Sequence, residues 1–210
     1  MPRLAAEARE ARRDHILRAA LRCFARRGYH DTTVDEIAAE AGVSKGAPYV
    51  YFESKEELFR QLHDSWNCAL AERMTAAVAG LDDRGRRSPR RVLETIVVAV
   101  GEHVEEDADL CRVLMEARTQ AAYSPGLAEL VRASQAGTQV DMTGLVAAGV
   151  AAGEWPAETD AALVARLILA AIHGLMAEWH LEPGSFSWRE AATALARAWS
   201  PTALKGEDMR

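Results

Sequence analysis

Apolar residues return every three to four positions along almost the whole chain, and strict apolar–polar alternation is absent. That period belongs to helices. Ile16, Leu17, Ala20, Leu21 and Phe24 form one stripe, while Arg12, Arg13, Arg18, Arg22 and Arg26 take the other faces. The stripe predicts a first helix over residues 7–27, with Gly28 as its C-terminal stop. Thr33-Val34-Asp35-Glu36 reads as a capping box, in which Glu36 reaches back to the cap N–H. It opens a second helix with Val34, Ile37, Ala38 and Ala41 on its buried face, and Gly42 ends it in the left-handed position. Val43 follows as an apolar plug, and Ser44 caps a very short helix over 45–52. Ser54-Lys55-Glu56-Glu57 is a second capping box. It starts a long helix carrying Leu58, Leu62, Trp66, Leu70 and Met74. After a polar loop over 80–89, helices are expected over 90–106, 108–122, 125–153, 159–180 and 187–200. Breaks fall at Ser124-Pro125, Trp155-Pro156 and Pro183-Gly184, and the 125–153 segment is expected to shorten or bend near Gly137 or Gly144. The pattern is all-α, with about nine helices, three short and then six longer.

Length and charge refine this picture. A chain of 210 residues that is 49% hydrophobic holds one or two domains with a real core. Its net charge of −6 speaks at first against a nucleic-acid partner. The charge is uneven, however. Residues 1–60 hold 11 Lys/Arg against 10 Asp/Glu, and the rest hold 14 against 21. A basic first segment, whose first helix is expected to face phosphate, precedes an acidic body. Cys23, Cys68 and Cys111 are far apart with no His at ligand spacing, which suits free thiols in a reducing compartment. Arginines stand near the N-terminus where a secretory signal has its apolar core, so a bacterial cytosolic location is expected. The most apolar stretch, 161–177, contains Arg166 and His173 and falls short of the ~20 residues of a membrane span.

A helix, a glycine turn and a short helix make the sequence form of a helix-turn-helix. Ala38 is small where the two helices cross, Gly42 makes the turn, and Val43 and Phe52 anchor the second helix. Ser44, Lys45, Ala47, Tyr49 and Tyr51 remain for its outer face, where an ammonium and phenol hydroxyls suit phosphates and base edges. Lys55 stands beside the free N–H groups of the next helix, a setting that suits another phosphate.

Residues 10–70, with the motif at 33–52, resemble the DNA-binding domain of the TetR (tetracycline-repressor) family. The string T-V-D-E-I-A-A-E-A-G-V-S-K-G-A-P-Y-V-Y-F-E-S-K-E-E-L-F from Thr33 carries the resemblance. The upstream I-L-x-A-A-x-x-x-F-x-x-x-G-Y from Ile16 agrees in order and spacing. By position, the resemblance puts DNA contacts on Thr33, Lys45, Gly46, Ala47, Tyr49, Tyr51 and Lys55, and Ser44 of the outer face completes the DNA-binding candidates. Pro48 departs from the family pattern, which has an aliphatic residue there. As a first-turn proline it is expected to alter the helix start and the base preference without abolishing binding.

The resemblance further implies a helix-turn-helix domain over 1–53, a ligand-binding and dimerisation domain over 54–205, and a tail over 206–210. The stretch from Ala151 to Leu175 is similar to the family's second-last helix. Segment 161–177 is apolar on nearly all faces, so something beyond its own domain must cover one side. A symmetric bundle with the last helix meets that need, with Ala165, Leu169, Ala170, Gly174, Leu195 and Trp199 as interface candidates. Trp66, Met115, Tyr123, His173 and Met176 are candidates for an apolar ligand pocket by resemblance. For each of them plain core packing, or for His173 a satisfied core or interface histidine, is the competing and commoner role.

Other matches dissolve on inspection. Tyr51 and Lys55 fit the Y-x-x-x-K pair of dehydrogenases, but no βαβ unit or phosphate turn accompanies them. Glu102, His103, Glu105, Glu106 and Asp107 read as a solvated helix face before a metal site. The arginines between Arg84 and Arg91 read as a solvated loop before a DNA contact. No catalytic, metal or cofactor set is expected. The sequence therefore points to a ligand-responsive regulator, most simply a repressor. It would bind a palindromic double-stranded operator as a homodimer, be released by a small, apolar molecule, and have no membrane contact. An activator of the same fold, or an all-helical binding protein or enzyme that does not rely on DNA, are the alternatives.

Overall fold

The computed structural model describes residues 2–81 and 88–198, with the side chains of 2–5 left aside. Among the described residues there are eight α-helices, one 3-10 turn and no strand. In order they are α1 (Pro2–Asp31), α2 (Val34–Glu40), the 3-10 turn Pro48–Val50, α3 (Lys55–Ala79) and α4 (Pro89–Glu106). Then come α5 (Ala108–Gln120), α6 (Pro125–Ala151), α7 (Ala161–Leu181) and α8 (Trp188–Ala198). The all-α expectation holds, and the segment boundaries are close to those expected. Two differ in kind. The segment over 45–52 is a turn followed by a 3-10 turn, not an α-helix. And α6 runs unbroken through Gly137 and Gly144. An interior glycine costs a helix only about 1 kcal/mol, which is not enough to stop it.

The chain divides into two compact units. One comprises the residues up to Cys68 together with Asp107–Val131. The other comprises Ala69–Glu106 and the chain from Arg132 onward. Helix α5 therefore belongs with α1, α2, the first part of α3 and the first turns of α6. The tail over 206–210 lies outside the described residues.

The first unit closes on the stripe expected for α1. Ile16, Ala20 and Phe24 are fully buried, as are Ile37, Ala38, Leu58 and Phe59. Phe24, Tyr29 and Phe59 form an aromatic cluster with ring centroids 5.0 to 6.2 Å apart. Helix α1 breaks at Gly28, whose φ of 79° suits only glycine, before the residues that lead to Thr32. A Cβ there would also meet the Glu116 carboxylate of α5 at 2.5 Å. Arg112, one turn earlier on α5, donates to the Ala25 carbonyl at 2.9 Å. So α5 holds the C-terminal end of α1 at two points.

In the second unit α4 packs on α8. Gly101 lets Trp188 lie flat on α4, since a Cβ at 101 would fall 2.1 Å from the indole Cγ. Gly101→Ala should therefore lower unfolding stability by about 1–3 kcal/mol through overpacking, read as a lower urea midpoint. Glu102 and Glu106, weighed as metal ligands, flank Arg73 of α3 as ion-pair partners.

Helix α7 is capped by Asp160, whose carboxylate accepts from the N–H groups of Ala162 and Leu163 at 3.0 Å. It buries Ala165, Ile168, Ile172 and Met176. Its opposite face stays open: Leu163 is 53% exposed, Leu167 47% and Leu181 81%. At 21 residues, with a mean hydropathy of 1.6 in its most apolar window, α7 is long and apolar enough to cross a membrane. That is a matter of length and composition only, which the core helix of a soluble protein also satisfies, and with Glu178 and His180 just beyond it the apolar stretch ends at Ala177 as expected.

Candidate nucleic-acid interface

Helix α2 is fixed at both ends by groups adjacent in sequence. Thr33 Oγ1 accepts from the Glu36 N–H at 3.3 Å, and the Glu36 carboxylate accepts from the Thr33 N–H at 2.9 Å. The capping box is complete. The bond from the Thr33 N–H and then one from the Thr33 hydroxyl to the same carboxylate hold the Glu36 carboxyl below its ordinary pKa. At the other end Gly42 has φ 62°. The Gly42 N–H donates to Ala39 and the Val43 N–H to Ala38, both at 3.0 Å, which is the Schellman arrangement. His15 of α1 adds a contact to the Ala41 carbonyl at 2.8 Å.

The segment after this turn is where Pro48 acts. In an α-helix the Ser44 carbonyl would accept from the N–H of residue 48, but proline has none. The carbonyl accepts from the Ala47 N–H instead, at 2.9 Å. The next bonds run from Val50 to Ala47 and from Tyr51 to Pro48, so the segment tightens to 3-10 geometry. Ala47, not Ser44, takes the N-cap position, with no side-chain cap hydrogen bond. Pro48 and Phe52 are buried and anchor the turn. Tyr49 and Val50 point out, 56% and 65% exposed. Thr33, Ser44, Lys45 and Gly46 are exposed beside them, while Ala47 and Tyr51 are half-buried.

The charged groups sort into two kinds. Arg22 and Arg26 both bind the Glu40 carboxylate at 2.7 Å, and Arg27 binds Glu36. Much of the basic face of α1 is therefore spent on α2, which corrects the idea that it faces a polyanion. The two arginine hydrogen bonds also hold the Glu40 carboxyl below its usual range. Arg13 packs over the Phe52 ring, and Arg9 lies over Tyr51 with its guanidinium 5.9 Å from the ring centre. Lys45 stays on the open side, its side chain 80% exposed, with Nζ 2.6 Å from Asp35. That carboxylate raises the Lys45 pKa.

Lys55 is the main correction among the site residues. Its ammonium donates to the carbonyls of Tyr29, His30 and Thr32, each at 2.9 Å, and sits 4.6 Å from the Tyr29 ring centre. An ammonium has three donors, and all three are used inside the chain. Lys55 thus holds the end of α1, with its three donors engaged inside the chain. The capping box expected around it forms only by half. Ser54 Oγ accepts from the Glu57 N–H at 3.2 Å, but the Glu57 carboxylate turns to Arg60 and Gln61.

The pocket candidates divide between the units. Trp66 and Met115 belong to the first, the one buried and the other half-buried. His173, half-buried, and Met176, buried, belong to the second. Tyr123 is 85% exposed at the turn after α5, so it does not line an enclosed apolar cavity. Of the interface candidates, Ala170 and Gly174 lie on the open face of α7. Ala165 is fully buried inside its own unit and is corrected on that ground. Leu169 and Leu195 are half-buried, and Trp199 lies outside the described residues. Sequence reading missed Asp35, Arg9 and Val50 as members of the open surface. Only for Val50, an apolar residue between two tyrosines of a short turn, was there a local signal.

A capped helix, a glycine turn and an exposed Lys45–Tyr49 surface define a helix-turn-helix unit, joined here to a second helical unit. Bacterial regulatory proteins of the tetR family match residues 16–62, and the C-terminal domain of BetI-type transcriptional repressors matches 89–204. The chain belongs to the tetR family of regulators, a DNA-binding family. It is 31% identical over 188 residues to the transcriptional repressor BepR of Brucella suis, covering 88% of each chain. It is 28% identical over the same length to the regulator TtgR of Pseudomonas putida, again covering 88% of each. Among solved structures it resembles the regulator FadR of Bacillus subtilis in complex with stearoyl-CoA. There the TM-score is 0.74 at 21% identity, over 89% of this chain and 97% of that one.

Proposed function

We propose that this regulator is a homodimeric repressor of the bacterial cytosol, placed on the nucleoid when bound to a palindromic operator. Each protomer sets the turn around Pro48 into a major groove. Lys45 meets a phosphate, and Tyr49, with Thr33, Ser44, Gly46, Ala47 and Tyr51 around it, meets phosphate and base edges. The observation that carries this reading is the exposed Lys45 and Tyr49 on a turn anchored by buried Pro48 and Phe52. Two-fold symmetry would space the half-sites by about one helical turn, ~34–36 Å, or a multiple.

The dimer is proposed to form through the open face of α7, with Leu163, Leu167, Ala170 and Gly174. Unlike the flank residue Leu169, these leave an apolar stripe in water in a single chain. The effector is proposed to be a small, apolar molecule; the Bacillus subtilis relative with the same fold holds stearoyl-CoA. Trp66 and Met115 in the first unit and, separately, His173 and Met176 in the second remain candidates to meet it. The signal would reach DNA through α3, which runs from one unit into the next, and through α5, which grips α1 at Ala25 and Gly28. Coupling of this kind is typically ~1–3 kcal/mol and reciprocal, so operator DNA weakens effector binding by the same factor.

The test starts with selection of tight-binding duplexes from a randomised pool. Lys45→Ala and Tyr49→Ala should each weaken binding to the selected duplex about tenfold or more, with unchanged helical content. Full affinity in both variants would remove this surface from the DNA interface.

A further inference from the structure

Lys45 and Asp35 are ten residues apart in sequence and meet at 2.6 Å on the surface assigned to DNA. Stability does not explain the pair. The two side chains are 80% and 53% exposed, and exposed ion pairs contribute little to folding. Nor does α2 need Asp35 for its N-terminus, since Glu36 already completes the capping box. A carboxylate on a surface that approaches phosphates is unfavourable unless it finds a donor there. The free protein supplies that donor as Lys45. On DNA, Lys45 is wanted by a phosphate, and the carboxylate loses its partner.

We propose that Asp35 is a specificity-determining residue: when Lys45 moves to a phosphate, the freed Asp35 carboxylate accepts from the N4 amino group of a cytosine in the major groove. The exchange rests on the DNA-binding reading above and sharpens it. In the major groove cytosine presents an exocyclic amino donor, the partner a carboxylate takes. At a site with a cytosine in place, both ends of the broken pair are satisfied. On other sequences Asp35 faces the phosphates with no donor, so random DNA is held weakly. One residue then adds affinity at the right site and removes it at the wrong ones. The charged groups nearest in the same elements, Glu36 and Glu40, are held by Thr33, Arg27, Arg22 and Arg26, so neither substitutes for Asp35.

The experiment is selection from a randomised duplex pool with the wild-type protein, Asp35→Ala and Asp35→Asn. Titrations on the wild-type consensus and on a random duplex follow. The wild type should fix one C·G pair in each half-site. Changing that pair should weaken wild-type binding about tenfold or more and leave Asp35→Ala indifferent. Asp35→Asn should move the preference at that one position from cytosine to adenine, the base an amide pairs with on two edges. Both variants should bind the random duplex more tightly than the wild type does. Identical consensus sequences for all three proteins, or no fixed cytosine in the wild type, would overturn the role of Asp35. If the wild type selects no duplex at all, the DNA-binding reading itself falls. Thermal melts of the two variants separate any loss of folding, and the Asn variant keeps the size of Asp35 for that reason.

Discussion

Leu167→Glu is expected to convert the protein to monomers and to weaken operator binding by at least a hundredfold. Leu167 is 47% exposed at the centre of the open face of α7, between Leu163 and Ala170. In a two-fold interface the same patch meets itself, so one substitution places two carboxylates near the axis. An unpaired charge buried among apolar groups costs roughly 3–5 kcal/mol, enough to abolish association at micromolar concentrations. DNA affinity falls with it, because two linked half-site contacts become two separate ones. Linkage of this kind is typically worth about 10²–10⁴ in binding. Light scattering gives the mass, and titration on the selected duplex gives the affinity. A full-strength dimer would exclude this face. In the free chain the exposed residue gains solubility from the change, so the circular dichroism spectrum should not move.

Why this face had to be found in the structure is a matter of periodicity. Residues 161–177 are apolar on nearly all faces, so the sequence shows that a partner is needed but not on which side. Burial decides it: Ala165, Ile168, Ile172 and Met176 point inward, which places Leu163, Leu167, Ala170 and Gly174 on the opposite side. By pattern alone Ala165 is as good a candidate as Ala170, because small residues stand on both faces. By contrast, the capping box at Thr33 and the Schellman turn at Gly42 were fully legible. Both depend on residues within five positions of each other. The 3-10 turn at Pro48 was half legible. The missing N–H was plain, but its effect depended on the Ser44 carbonyl turning to Ala47.

Long-range pairing was the least legible level. Eight arginines among the first 30 residues suggested a polyanion-binding face. Arg22, Arg26 and Arg27 instead neutralise Glu36 and Glu40, carboxylates that the charge count treated as background. What is left for the proposed DNA interface is smaller and more local: Lys45, Tyr49 and their neighbours. A net charge of −6 is compatible with DNA binding because binding is set by this surface and not by the sum.

Lys55 separates the two kinds of cation most sharply, and Lys55→Ala should show it. The ammonium satisfies the carbonyls of Tyr29, His30 and Thr32 after the break in α1, and caps the face of Tyr29. Burial pushes its pKa down, while Glu56, Asp31 and Glu36 pull the other way. Removal leaves acceptors beside buried Tyr29 and Thr32 without a donor, at a cost of about 1–3 kcal/mol. Loss of the cation–ring contact adds about 0.5–1 kcal/mol. The first unit should therefore unfold at distinctly lower urea, whereas Lys45→Ala should leave the midpoint in place. Salt dependence gives the opposite ranking. A lysine that neutralises a phosphate contributes about 0.9 to the slope of log affinity against log salt. Lys45→Ala should lower that slope by about one unit, and Lys55→Ala, measured where it is folded, should leave it unchanged. A reduced slope without lost stability would return Lys55 to the phosphate contacts. Lys55→Arg should rescue little, since a planar fork does not match three carbonyls gathered around one ammonium. The lysine beside the helix start, which sequence position alone marks as a DNA ligand, is thus expected to act on DNA only by keeping the reading unit in shape.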